Sequence, residues 1–138
     1  MATKEILQAK INVRFHSREL IRAVFQATDA FSIPDVEGIG PVLRKKTLGI
    51  SSFLSHGTVK SDREEQNEDF LTVMGELREV LKLITIANHL GLCTDVDKVR
   101  VRAAIALVID GLDKLTILLG GFKANTMDFL IYFPKITC

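Results

Sequence analysis

Phe70–Ala87 reads FLTVMGELREVLKLITIA, and the spacing of its apolar residues decides the fold. Phe70, Val73, Met74, Leu77, Val80, Leu81, Ile84 and Ala87 follow one another at steps of three and one. A helix turns about 100° per residue, so these positions line one side and Glu76, Arg78, Glu79 and Lys82 face away from it. A strand would instead need apolar and polar residues to alternate. Such a seam loses contact with water only when other helices close over it, as in a bundle.

The flanks of this segment carry helix punctuation. Upstream, Ser61 and Glu64 form an S-x-x-E capping box, whose side chains satisfy backbone amides left unpaired at a helix start. Downstream, Leu90-Gly91 ends the helix, and Thr94 with Asp97 forms a weaker box that opens another. Asp95 and Asp97 suit the positive end of that helix's dipole. The helix runs to about Leu119, with Val101, Ile105, Val108, Leu112, Leu115 and Leu119 inward. It also carries Ala103, Ala104, Ala106, Leu107, Ile109, Ile117 and Leu118 outside that seam, so it is apolar on more than one face and needs cover on several sides.

Two more helices precede these. One starts near residue 41 after Gly40-Pro41, turns Ile39, Val42, Leu43, Ile50, Phe53 and Leu54 inward, and stops at Gly57, a residue suited to a left-handed C-terminal turn. FSIPDVEG joins it to the first helix, because Pro34 disfavours helical geometry at Ile33. The first helix runs from after Thr3 to about Phe31, with Leu20, Ile21, Val24, Phe25, Thr28 and Phe31 on one face. Ile11, Val13 and Phe15 alternate with polar residues as a strand would, but their helical flanks favour helix.

Four amphipathic helices with short connections predict an all-α fold, an antiparallel up-down-up-down four-helix bundle over residues 1–121. The tail, residues 122–138, reads FKANTMDFLIYFPKITC. Its FLIYF run is too apolar to stand in water, so it is expected to pack on the bundle or on a neighbouring subunit.

Composition agrees with a single globular domain of 138 residues, with 47% apolar and 25% charged residues. Asp110, Asp113 and Lys114 interrupt the most apolar region, which argues against a membrane-spanning helix of about 18 apolar residues. The opening MATKEILQAK lacks the apolar run of a secretion signal. Cys93 and Cys138 make no disulfide framework and lack zinc-site spacing, so a reducing cytoplasm is expected.

Searches for reactive constellations turn up little. A di-iron bundle needs Glu-x-x-His pairs, and none occurs. His16, His56 and His89 read as surface or capping residues, and no arginine stands at the spacing a small helical ribonuclease would use. There is no G-x-S-x-G elbow, and the GIG at residues 38–40 lacks the rest of a phosphate loop. Cys93, alone after a helix-ending glycine, reads as structural. The expectation is no catalytic residue, no cofactor and no metal.

Charge is more informative. Residues 1–60 hold nine Lys/Arg against five Asp/Glu, residues 61–97 hold three against nine, and residues 98–138 hold six against three. Separate surfaces of opposite sign follow. In the first helix Lys10, Arg14, Arg18 and Arg22 recur every four residues and drift by about 40° per step, forming a slanted stripe. Arg44, Lys45 and Lys46 add cations in the second helix, and KVRVR at residues 98–102 in the fourth. Lys10, Arg14, Arg18, Arg22, Arg44, Lys45 and Lys46 are the candidate nucleic-acid-binding residues, since cations that meet phosphates release counterions. The alternative is that Arg18 and Arg22 pair with acids such as those of the third helix, within one chain or between subunits.

SRELIRAVFQATDAF, VLRKKTLGISSFLSHG and GELREVLKLITIANHLG resemble, in turn, the first three helices of the four-helix-bundle family of 23S rRNA intervening-sequence proteins. That family includes the accessory variability determinants of diversity-generating retroelements. Leu43, Arg44, Lys45, Ile50 and Gly57 stand at the family's spacing in the second helix, and Gly75, Glu79, Ala87, Leu90 and Gly91 in the third. The resemblance covers residues 17–119. Phe53 and His56 replace the family's asparagine and glutamate, and the net charge of +1 departs from the strongly basic retroelement members. The resemblance implies a homo-oligomer, a pentamer, that works with a reverse transcriptase and its RNA. The resulting expectation is a non-enzymatic adaptor binding RNA or DNA or an enzyme of nucleic acid, against the alternative of a purely structural protein-protein module.

Overall fold

The computed structural model describes residues 2–31, 38–59 and 62–120. Ser61, the Pro34 connection and the tail of residues 122–138 lie outside these. The described residues form α1 (Ala2–Asp29), α2 (Ile39–Val59), α3 (Arg63–His89) and α4 (Asp95–Leu118), with no strand among them.

The four helices pack in a ring in which α1 touches α2 and α4, and α3 touches α2 and α4. Side-chain contacts fix their directions. Arg14 reaches Thr58 while Arg44 reaches Thr28, so α1 and α2 run in opposite senses. Gln66 donates to the Gly57 carbonyl and Lys46 meets Glu76, so α2 and α3 do the same. Asn88 meets Asp95 at one end of the α3–α4 pair and Arg63 lies beside Gly120 at the other. Val13 lies against Gly111, and Phe15 and Arg22 share a groove with Leu107 and Arg100, which makes α1 and α4 antiparallel. The bundle is therefore up-down-up-down, as the sequence predicts.

Every apolar seam position named on α3 is buried, Val73, Leu77, Val80, Ile84 and Ala87 completely so. Leu20, Val24, Leu43, Ile50, Leu54, Val101, Ile105, Val108 and Leu115 meet them from the other helices, all at 0% exposure. Val13 is fully buried while Ile11 and Phe15 remain about half exposed. The alternating stretch is thus helical, with Val13 inward and Leu7, Ile11 and Phe15 on the outer side at steps of four.

The helix ends follow from local chemistry. Thr94 caps α4 by accepting from the Asp97 amide at 3.1 Å. Gly91, at φ 76°, closes α3 as the sequence suggests: its amide donates to the Asn88 carbonyl and that of Leu92 to Ala87. Asn88 then pins the turn from α3 to α4, its side-chain amide donating to the Cys93 carbonyl at 3.2 Å and to Asp95 at 2.9 Å.

Three expectations are corrected. The N-cap of α3 is Asp62 rather than Ser61, its carboxylate accepting from the Glu64 amide at 2.9 Å. A carboxylate at a helix N-terminus satisfies the amide and also meets the positive end of the dipole. Val42 and Phe53 of α2 face outward, because Leu43, Thr47, Ile50 and Leu54 make its seam. Gly57 lies inside α2 and does not end it. A β-carbon at Gly57 would stand 3.1 Å from the Phe70 ring and 3.2 Å from the Asp69 β-carbon, so glycine is there to let α2 and α3 approach.

That distinction gives opposite signs to substitutions of the same residue type. Gly57→Val should destabilise by about 2–3 kcal/mol, because the Asp69 β-carbon is fixed to the α3 backbone and cannot move aside. Gly49→Ala, where nothing lies within 4 Å, should stabilise by about 0.5–1 kcal/mol through helix propensity. Urea unfolding followed by circular dichroism measures both.

Candidate polyanion-binding face

The slanted stripe exists, but the bundle treats its members differently. Arg14 reaches α2, Arg18 is exposed, Arg22 turns towards α4, and Lys10 lies one turn before Arg14 on the same stripe. Arg14 is half-buried, and its Nε and Nη2 donate to the Thr58 hydroxyl at 3.0 and 2.7 Å. Arg22 meets Glu19 of its own helix at 3.3 Å, the arginine well exposed and the glutamate half-buried. It does not reach the acids of α3, which stands at the opposite corner of the ring. Arg18 is exposed and Lys10 half-buried, and neither has a carboxylate partner among the described residues.

The second group of cations divides further. Arg44 is a clamp: its guanidinium lies 4.6 Å from the centre of the Phe25 ring, donates to Thr28 at 2.7 Å and pairs with Asp29. A planar guanidinium can stack and fork at once, which lysine cannot. Lys46 meets Glu76 of α3 at 3.0 Å, with both side chains partly shielded. Lys45 is exposed, with no carboxylate partner among the described residues. Arg44 sits level with Thr28 at one end of the α1–α2 pair, whereas Arg14 sits level with Thr58 towards the other. The seven cations therefore do not form one patch. Lys10, Arg14 and Arg18 form one group, and Lys45 stands apart.

In α4, Arg100 meets Asp97 at 3.5 Å, and the Nε of Arg102 is buried without a hydrogen-bond partner. The acidic residues Glu64, Glu65, Glu68 and Glu79 are exposed on α3. Opposite signs consequently occupy opposite corners of the bundle.

His56 and His89 are exposed at the ends of α2 and α3, as expected. His16 differs: it is half-buried in the groove between α1 and α4, its ring edge-on to Phe15 at 5.5 Å and its Nδ1 without a partner. No cluster of three or more metal-ligating side chains occurs among the described residues. No described helix is long and apolar enough to cross a membrane. Cys93 is buried, and burial pushes its thiol upward, with Asp97 pushing the same way, Lys98 opposing and Asp95 adding to the rise. A raised thiol holds less thiolate at neutral pH, which fits a packing role.

Thr58 and the Phe25–Thr28–Asp29 set are the groups that the sequence left unnoticed as partners. Their spacing along the chain carries no signal, because each contact joins two helices.

Compared with models of known protein families the chain matches none, and a comparison with curated proteins likewise finds no match.

Arg44→Ala should lower stability by about 1–2 kcal/mol, the sum of a lost stack and charge-assisted hydrogen bonds. Arg18→Ala should stay within about 0.5 kcal/mol, as exposed substitutions do. Thermal melts of both variants check this contrast. Iodoacetamide at pH 8 should alkylate Cys93 more slowly in the folded chain than in urea, since burial shields the sulfur and the raised thiol holds less of the reactive thiolate. Peptide mapping by mass separates Cys93 from Cys138.

Proposed function

We propose that the protein is a non-enzymatic helical-bundle adaptor that binds nucleic acid through the Lys10–Arg14–Arg18 side of α1. The observation that carries this reading is the state of Lys10 and Arg18: neither has a carboxylate partner among the described residues, and the acidic helix lies across the bundle. Arg14, held by a neutral hydroxyl, keeps its charge available to an anion alongside them. Arg44 and Lys46 are assigned instead to holding helices together, because their charges are already met. The ion pair of Arg22 is exposed and weak enough to exchange for a phosphate.

The resemblance to the intervening-sequence proteins adds the finer parts of the proposal. These are an RNA as the polyanion, a reverse transcriptase as the protein partner, and a homo-oligomer, a pentamer, as the working form. Residues 17–119 support them through the spacings quoted above.

A structural protein-protein module is the second reading, favoured by the exposed Leu7, Ile11 and Phe15 beside these same cations. Fluorescence anisotropy with labelled single-stranded RNA and DNA, titrated with salt, separates the two. The adaptor reading expects Lys10→Ala plus Arg18→Ala to weaken binding about tenfold or more and to reduce the salt slope by about two. Lys46→Ala should leave affinity unchanged. Absence of binding at low salt, or equal binding by the double variant, would favour the structural module.

A further inference from the structure

We propose that the hollow between α1 and α4 takes up one unpaired base of a single-stranded nucleic acid whose phosphates follow the cations of α1. The proposal rests on the nucleic-acid reading above and adds to it a base site and a preference for single strands over duplexes.

The hollow has a volume of about 310 Å³, and its lining divides between apolar and polar side chains. Phe15 and Leu107 stand about half exposed at the rim, above the buried Ala23 and Ala104. Glu19, Arg22, Gln26 and Arg100 supply the polar part. The carboxylate accepts, the guanidinium groups donate and the glutamine amide does both. Arg22 pairs with Glu19 at 3.3 Å and Arg100 with Asp97 at 3.5 Å, contacts within one helix that are weak enough to be shared with an incoming group. A nucleobase is built in the same way, with two apolar faces and an edge of donors and acceptors. A wholly apolar occupant would leave the polar groups unmet, and a bare phosphate would leave Phe15 and Leu107 in water.

Phe15 is the platform for the base. Its ring stands at 70° to that of His16 with centroids 5.5 Å apart, the edge-to-face arrangement that aromatic pairs favour. This contact steadies the ring and still leaves half of Phe15 in water. Arg18 follows three residues later on α1, so the β-carbons of the two are about 5–6 Å apart. Arg22, one further step along the stripe, lines the hollow itself. The stripe that begins at Lys10 thus ends at the hollow, and a strand whose phosphates follow it brings a base to Phe15. Paired bases keep their faces stacked inside a duplex, so only an unpaired one can turn into the site.

The test uses the full-length chain and compares a single-stranded uridine RNA of about 12 nucleotides, within the length such sites cover, with a hairpin RNA of the same length. Fluorescence anisotropy against salt reads both. Phe15→Leu removes the ring and keeps an apolar side chain at a half-exposed helical position, so the fold stays intact. It should weaken single-strand binding about tenfold and leave the salt slope and the hairpin affinity unchanged, because a stacked base is lost and no phosphate contact is. Lys10→Ala plus Arg18→Ala should instead weaken both RNAs and lower the slope. If Phe15→Leu binds the single strand like the parent, or weakens the two RNAs equally, the base site is overturned, while the nucleic-acid reading stands on the effect of the two cations. If neither RNA binds, both fall. Cross-linking supplies a measurement independent of affinity. With 5-iodouridine in the strand, irradiation should join it to the tryptic peptide Phe15–Arg18, and cross-links confined to other peptides would also overturn the proposal.

Discussion

The seam of α3 has to be kept from water, and the remainder of the bundle is arranged around that requirement. Leu77, Val80, Ile84 and Ala87 are sealed completely, and no single helix can do this. Burying a leucine or isoleucine side chain contributes about 1.5–3 kcal/mol, so the seam is worth as much as, or more than, the stability left to a domain once chain entropy is subtracted. Closure demands that α2 and α4 lie tight against α3, and that α1 seal the far side. Gly57 and Gly111 are the points at which backbone-to-helix distance sets the limit.

Closing the core also sorts the charges. A guanidinium beside the α1–α2 boundary can rest on a ring or a hydroxyl, as Arg44 and Arg14 do, whereas a side chain turned a further step outward meets only water. The four-residue recurrence of Lys10, Arg14, Arg18 and Arg22 therefore does not yield equivalent cations. Each step of about 40° takes the next one from the α2 side, through solvent, towards α4. Helices diagonal to one another cannot exchange charges, so the acids of α3 leave the basic side of α1 uncompensated.

What could be read in the sequence was whatever depends on residues close together along it. The seam of α3, the Thr94 cap and the turn at Gly91 are all of that kind, and all are present. Gly57 was misread because a glycine near a helix end looks alike whether it terminates the helix or admits a neighbour, and only Phe70 and Asp69 tell the two apart. Ser61 and Asp62 are both good caps, one residue apart, so the pattern alone could not choose between them. On α2, Val42 adjoins Leu43 and Phe53 adjoins Leu54, and hydrophobicity does not say which of two adjacent apolar residues turns inward. The partners of Arg14 and Arg44 were hidden for a different reason: they lie on another helix, 44 residues away for Thr58 and 16 for Thr28.

The antiparallel pairing of α1 with α4 brings the beginning of the first helix and the end of the last to the same end of the bundle. A mechanical load applied across those two points would open the α1–α4 seam like a zipper, one row of side chains at a time, instead of shearing all its rows together. Force resistance should then be low in comparison with equilibrium stability. The same proximity makes the two ends a natural place to join the chain to itself and to cut it open elsewhere.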